Sequence, residues 1–307
     1  MNVIKDSLDL IGNTPLLLVK NLDTGPCNLY LKLESFNLGG SIKDRPAKNM
    51  IIEAEKKGLL KKGGTIVEAT AGNTGIALAI MAVKRGYKVV IIVPDKMTIE
   101  KVYHLKALGA EVIVARSDVV NGHPEYYLEI AKKIAKERKA FYINQFSNQA
   151  NIKSHIKDLG PEIYKQLHGK IHAFVAGVGT GGTISGIGKF LKSKNKKCEL
   201  VLADPKGSIL KDLIKTGKIN KNVGSWIVEG IGEDFCPPLL DTSLIDHAYS
   251  ISDFEAIDSC RKLLQNEGIL AGSSSGTLLA TALKFCKSQK VKKNVVTLIC
   301  DAGDKYL

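Results

Sequence analysis

No run of eighteen apolar residues occurs in this 307-residue chain. A helix needs roughly that length to cross a bilayer, so nothing in the sequence reads as a membrane span. The first twenty residues, MNVIKDSLDLIGNTPLLLVK, lack an unbroken apolar stretch and carry Asp6 and Asp9, which argues against a secretory signal. The expectation is a soluble, cytoplasmic protein with no membrane partner. Paired cysteines are missing as well. Cys27, Cys198, Cys236, Cys260, Cys286 and Cys300 form no CxxC, and no His or Cys cluster has zinc spacing, so no metal is expected. They read as separate thiols in a reducing compartment. Internal repeats and low-complexity linkers are absent too. Positive charge is plentiful, with a net charge of +13, but it has no basic tail and no aromatic interleaving. The lysines are scattered over helix-like segments such as EAEKKGLLKKGG and SKNKKCEL, so no nucleic-acid partner is expected. Such a surface instead raises the local concentration of small anions.

What is present is an alternation. The β-branched runs TIVEA (65–69), VVIIVP (89–94) and EVIVA (111–115) are each followed by a longer amphipathic run. HAFVAG (172–177), ELVLADP (199–205) and VVTLIC (295–300) read as further buried strands. This pattern predicts an α/β protein with two doubly wound parallel sheets. One sheet is expected over about 44–150 and the other over about 151–307, with the LYLKLE strand (29–34) crossing to join the second. A ligand in such a fold belongs at the carboxyl ends of the strands, in the cleft between domains.

Four stretches carry chemistry. In AGVGTGGTISGIG (176–188), the spacing Gly177-x-Gly179-x-x-Gly182 fits a dinucleotide fingerprint, and Asp204 ends the next strand where a ribose-binding acid belongs. The same run can equally grip one phosphate. TAGNTG (70–75) lies between a strand and a helix, where outward amides suit a carboxylate or phosphate; its alternative is a plain tight turn. LGGSIKDRPA (38–47) places Lys43 before a helix, where the dipole and desolvation lower a lysine pKa, although a KDR triplet is more often a solvated ion pair. EGILAGSSSGT (267–277) is either a plain loop or a hydroxyl placed against a cofactor heteroatom. A dinucleotide leaves three of these four without work. One phosphate cradle, one reactive lysine, an asparagine and a serine loop match pyridoxal 5′-phosphate better.

With these motifs in this order, from IGNTPLL (11–17) to DAGDKYL (301–307), the chain resembles the cysteine synthase and cystathionine β-synthase family. These are fold-type II pyridoxal-phosphate enzymes, tryptophan synthase β-like. The resemblance implies that Lys43 binds the cofactor aldehyde. It makes Thr70, Ala71, Gly72, Asn73 and Thr74 the loop for the substrate carboxylate, with Asn73 also on the cofactor's phenolic oxygen. Gln145, in NQFSNQAN, becomes another carboxylate contact. Gly179, Thr180, Gly181, Gly182 and Thr183 cradle the phosphate, Ser274 faces the pyridine nitrogen, and Gly230 lies beside the cofactor among the substrate contacts.

Several stretches look more like the cystathionine β-synthase branch: PDKMTIEK (94–101), PKGSIL (205–210) and VEGIGEDFCPPLLD (228–241). No haem-binding extension or regulatory domain pair is expected. The family's usual TSGNT carries alanine at Ala71, its Asn-Pro is Asn37-Leu38, and its NPANP reads NQANI at 148–152. The TAGNT and GSSSG variants look like bacterial members that use O-acetylserine. The implied activity is β-replacement on an activated serine by sulfide or homocysteine. A mobile substrate-binding domain over 44–150 closes on a cofactor-binding domain of 1–43 and 151–307, and the assembly is a homodimer. The alternatives are a serine or threonine dehydratase, an idle family member that binds another protein, and a nicotinamide dehydrogenase.

Overall fold

The computed structural model describes residues 3–70, 72–95, 97–119, 122–219 and 223–306. Its strands, in chain order, are β1 (Leu16–Leu18), β2 (Asn28–Leu33), β3 (Thr65–Ala69), β4 (Lys88–Pro94), β5 (Glu111–Ala115), β6 (Phe141–Tyr142), β7 (Ala173–Ala176), β8 (Glu199–Pro205), β9 (His247–Ile251) and β10 (Asn294–Ile299). They form two sheets, a four-stranded one ordered β5-β4-β3-β6 and a six-stranded one ordered β1-β2-β10-β7-β8-β9. All pairings are parallel except the edge, where β1 runs antiparallel to β2. The LYLKLE segment does join the second sheet, beside β10.

The reason for this architecture is legible in β4. Six residues in a row are buried after exposed Lys88, as in a strand covered on both faces. Period-two alternation then splits its side chains. Val89, Ile91 and Val93 enter one core, while Val90 and Ile92 enter the other. The first core receives Met50 and Ile51 from the helix Asp44–Lys56, and Leu78 and Met81 from Asn73–Arg85. Leu8 and Ile11, from the chain's start, also pack there. The second core receives Ala131 and Ala135 from Tyr127–Glu137. In the six-stranded sheet all four residues of β7 are buried, and the helices Gly182–Lys194 and Ser273–Lys287 cover the core around it.

Three strands were not expected from the sequence. β1 and β6 are only three and two residues long, and β9, HAYSI, mixes polar with apolar side chains. The segment GSSSGT also differs from a plain loop. Ser273, Ser274 and Ser275 form the first turn of the helix Ser273–Lys287. Two of the hydroxyls find work outside the helix, which offsets serine's weak helix propensity. Ser273 Oγ accepts from the Glu229 amide at 3.1 Å and Ser275 Oγ accepts from the Cys300 amide at 2.9 Å, while Ser274 lines a narrow space together with Cys300.

Candidate active site

The ends of β3, β7 and β10 converge on one cleft of about 460 Å³ and a narrower slot of about 50 Å³ that opens beside it. Lys43, Asn73, Gly179, Thr180 and Gly230 line both. Thr70, Gly72, Thr74 and Gln145 line only the wide cleft, and Gly181, Thr183 and Ser274 line only the slot. The expected residues that border a single cavity divide as substrate and cofactor assignments would have them, five others border both, and Gly182 lines neither. Ala71 lies outside the described residues.

Lys43 precedes the helix Asp44–Lys56. Its segment is pinned to the end of β10, where the Ile42 amide donates to the Cys300 carbonyl at 2.8 Å. The next turn is anchored by buried Arg45, whose Nε donates to Glu34 Oε2 at 2.7 Å and whose Nη1 meets Glu162 Oε2 at 2.8 Å. Burial pushes the Lys43 amine below the usual lysine range, and Cys300, Asp301 and Glu233 pull partly the other way.

The glycine run after β7 is built for close approach. Gly181 sits at φ +84°, and a Cβ there would stand 2.7 Å from the Leu240 nitrogen. A Cβ on Gly179 would stand 2.6 Å from the Gly230 carbonyl oxygen, and one on Gly182 would stand 2.3 Å from Asn151 Oδ1. The loop ends in the helix Gly182–Lys194, whose N-terminus faces an anion favourably. Two side chains hold the threonines. Asn151 Nδ2 donates to Thr180 Oγ1 at 3.1 Å, and Thr183 Oγ1 lies 3.3 Å from His155 Nε2. Burial first, with Lys43 and Arg45 nearby, pushes His155 down to about 3, so its ring is neutral.

On the other wall, Thr74 Oγ1 donates to Gln145 Oε1 at 2.8 Å. The Gln145 carbonyl accepts from Asn151 Nδ2 at 2.9 Å, which links the two loops through one asparagine. Asn73 faces the chain's end: its Nδ2 donates to Asp301 Oδ2 at 2.6 Å and its Oδ1 accepts from Lys305 Nζ at 2.9 Å. Asp204 is buried but lines neither cavity. Its Oδ2 accepts from the Lys211 amide at 2.7 Å, at the start of the helix Leu210–Thr216.

Sequence reasoning assigned no role to Lys101, Glu229, Glu233 or Tyr306, which line the cleft, or to Asp301, which lines the slot. Lys101 Nζ reaches Glu229 Oε2 at 2.6 Å across the cleft mouth. The quoted DAGDKYL was the available signal for Asp301 and Tyr306, but nothing in it told which residues it would meet.

The slot fits pyridoxal phosphate. A low-pKa amine, a glycine cradle that any Cβ would obstruct, a helix N-terminus and the Ser274 hydroxyl line one narrow space. These answer the aldehyde, the phosphate and the ring nitrogen. The donors suit one phosphate rather than two, and the acid that a ribose needs is committed elsewhere.

The family described as pyridoxal-phosphate dependent enzyme matches residues 8–301. A cystathionine beta-synthase of Apis mellifera is 43% identical over 309 residues, covering 99% of this chain and 61% of that protein. This chain thus spans about three-fifths of that relative's length. An O-acetylserine dependent cystathionine beta-synthase of Bacillus subtilis (strain 168) is 41% identical over 309 residues, covering 100% of this chain and 97% of that one. Among solved structures, a hydrogen sulfide-producing enzyme from Fusobacterium nucleatum superposes with a TM-score of 0.90 at 38% identity, over 99% of this chain and 100% of that one. The chain belongs to the pyridoxal-phosphate-dependent enzyme family.

Proposed function

We propose that this chain catalyses β-replacement on an activated serine, with O-acetylserine as the preferred donor and sulfide or homocysteine as the acceptor. The observation that carries the reading is the position of Lys43. Its amine borders both the slot lined by the glycine loop and Ser274 and the cleft lined by Thr70, Thr74 and Gln145. One lysine can therefore hold the cofactor and reach the substrate's Cα. The name of the Bacillus subtilis relative, an O-acetylserine dependent cystathionine beta-synthase, points the same way.

Bound pyridoxal phosphate supplies an electron sink that acidifies Cα and lets a β-substituent depart. The protein supplies position and proton transfer. Backbone amides of Gly179–Thr183 hold the phosphate, aided by the helix that follows. Thr70, Gly72, Asn73, Thr74 and Gln145 orient the donor's carboxylate. The Lys43 amine, held low by burial, takes the Cα proton and later returns it. Ser274 offers a neutral hydroxyl rather than a carboxylate, which favours loss of the β-substituent over racemisation or transamination. Acetate leaves without a proton, whereas serine's hydroxyl needs one, and Ala71 brings no hydroxyl to help. Residues 44–150, with Leu8 and Ile11 packed into the same core, act as the mobile domain that closes on the remainder of 1–43 and on 151–307 and excludes water. The working assembly is a homodimer.

The test is to incubate cofactor-loaded protein with O-acetylserine and follow acetate, then compare sulfide and homocysteine as acceptors. Cysteine or cystathionine formed in step with acetate is expected. Pyruvate as the main product with either acceptor would replace this reading with a dehydratase.

A further inference from the structure

Glu233 stands apart from the groups assigned so far. It lines the wide cleft with Lys43 but not the narrow slot. Its main chain is clamped at both ends. The Glu233 amide donates to Ser208 Oγ at 3.1 Å, and its carbonyl accepts from that same hydroxyl at 3.1 Å and from the Ile209 amide at 3.1 Å. The backbone that carries the side chain is thus anchored at the cleft. Among the described residues, no hydrogen bond or ion pair to its carboxylate is found. A half-buried acid at the wall of the cleft, without a protein partner among the described residues, is free to meet a ligand there.

The surroundings say which ligand. The donor's carboxylate is met by Thr70, Thr74 and Gln145. Much of the remaining wall is apolar, formed by Met97, Phe146, Trp226, Val228 and Ile231. Such a wall suits the carbon chain of a second substrate better than a bare sulfide ion. The charged and titratable groups that act on or feel Glu233 are Lys43, Asp204, Asp234, Tyr126 and Tyr127; Lys101 and Glu229 line the same cleft.

Resting on the β-replacement reading above, we infer that Glu233 is the proton acceptor for the thiol of an organic second substrate, and that it sets the preference for organic thiols over sulfide. The S–H bond breaks and its proton passes to the Glu233 carboxylate. The freed sulfur pair forms the C–S bond at the donor's Cβ, which acetate has already left with the pair of its C–O bond. Lys43 returns the Cα proton, and Glu233 releases the thiol's proton to water. The balance is O-acetylserine plus thiol giving thioether amino acid, acetate and one proton. Burial and neighbouring Asp234 push the Glu233 carboxyl up to about 8, against the pull of Lys43. An ordinary thiol titrates at about 8.5, so the two are matched for transfer. Sulfide is largely ionised at neutral pH and needs no such acceptor.

The experiment compares wild type, Glu233→Gln and Glu233→Asp with four nucleophiles. These are homocysteine, 2-mercaptoethanol, sulfide, and the fully ionised aromatic thiolate 2-nitro-5-thiobenzoate. Acetate release is followed separately by stopped flow. Loss of a general base costs about 100-fold or more, so Glu233→Gln should lose that much kcat/KM with homocysteine and with 2-mercaptoethanol. Sulfide, the aromatic thiolate and acetate release should be nearly unaffected. The loss should shrink as pH rises through each thiol's own pKa, and Glu233→Asp should recover part of it. In the cofactor-free protein, the infrared band of a protonated carboxyl that disappears near pH 8 should be reduced in Glu233→Gln. Equal losses with all four nucleophiles, or a loss confined to homocysteine, would overturn the inference, as would an unchanged homocysteine rate with intact acetate release. Wild type that releases no acetate would remove the donor reading itself, and this inference with it.

Discussion

Asn73 Nδ2 donates to Asp301 Oδ2 at 2.6 Å, tying the first turn after β3 to the end of β10 across the cleft. Lys305 completes the tie. Its Nζ donates to Asn73 Oδ1 at 2.9 Å and to the carbonyls of Gly39 and Gly40 at 2.8 and 3.1 Å, just before Lys43. Tyr306 adds its hydroxyl to the same Asp301 oxygen. The last residues of the chain thus set the orientation of the loop assigned to the donor.

Lys305→Met should therefore weaken donor binding more than cofactor retention. A hydrogen bond to a charged group contributes about 1.5–3 kcal/mol, or about 10- to 100-fold in the donor's KM. Steady-state kinetics with O-acetylserine, together with the cofactor content after dialysis, measure both. An unchanged KM would show that the tie does not position the donor loop.

The glycine cradle gives a sharper expectation. At φ +84° any side chain on Gly181 strains the backbone, and its Cβ meets Leu240 besides. The strain alone costs about 1–2 kcal/mol, so Gly181→Ala should weaken cofactor retention by about 5- to 30-fold or more. Asp204→Asn should leave retention unchanged, because its carboxylate serves Lys211 rather than the slot. The ratio of cofactor to chain after dialysis decides. Equal losses in both variants would point to general destabilisation.

Much of this site was readable before the fold was known, for a physical reason. Phosphate and carboxylate contacts are made by local backbone at strand-to-helix turns, so TAGNTG and GTGGT carry their geometry within a few residues. The strands TIVEA, EVIVA and ELVLADP match β3, β5 and β8 to the residue: β3 and β8 are largely buried parallel strands that read as near-continuous apolar runs, and the edge strand β5 was legible from its β-branched residues although only Ala115 is buried. What stayed hidden is tertiary. Asp301 and Lys305 look like a solvated chain end, and only folding brings them to a residue more than 220 positions away. Glu233 reads as one more acid in a loop until its neighbours are known. HAYSI was missed because a strand at the sheet's edge tolerates polar residues that blur the pattern.

Lys43→Ala should abolish covalent attachment of the cofactor. Borohydride reduction of the loaded wild type should leave a mass increase on the peptide containing Lys43, and the variant should show none on any lysine. Turnover should fall by about 10²–10⁴ or more, the range for loss of a general base. Modification of a different lysine in the wild type would displace Lys43 from its assigned role.

Glu68 makes stability depend on pH in a direction that can be worked out. It is fully buried in β3, beneath the donor loop, where its carboxyl accepts from the amides of Ala69 at 3.0 Å and Gln145 at 3.3 Å. Burial outweighs those bonds and raises it from 4.5 to about 8. The unfolded chain releases this proton near 4.5, while the folded protein keeps it until about 8. Between these values the folded state holds one more proton, so stability falls as pH rises, by up to about 1.4 kcal/mol per pH unit. The contribution is fully present below the lower value and fully lost above the upper one. Asp44 and Asp204, each raised to about 6, and Glu233, raised to about 8, add slopes of the same sign. The informative quantity is therefore the difference between wild type and Glu68→Gln. The glutamine does not titrate, but its amide nitrogen faces two N–H donors, so the variant should be the less stable protein in acid. From there its Tm should gain on the wild type steadily as pH approaches about 8 and hold constant beyond. Thermal unfolding across that range reads it directly. Parallel Tm curves for the two proteins would mean that Glu68 titrates near its ordinary value and is not held protonated beneath the donor loop.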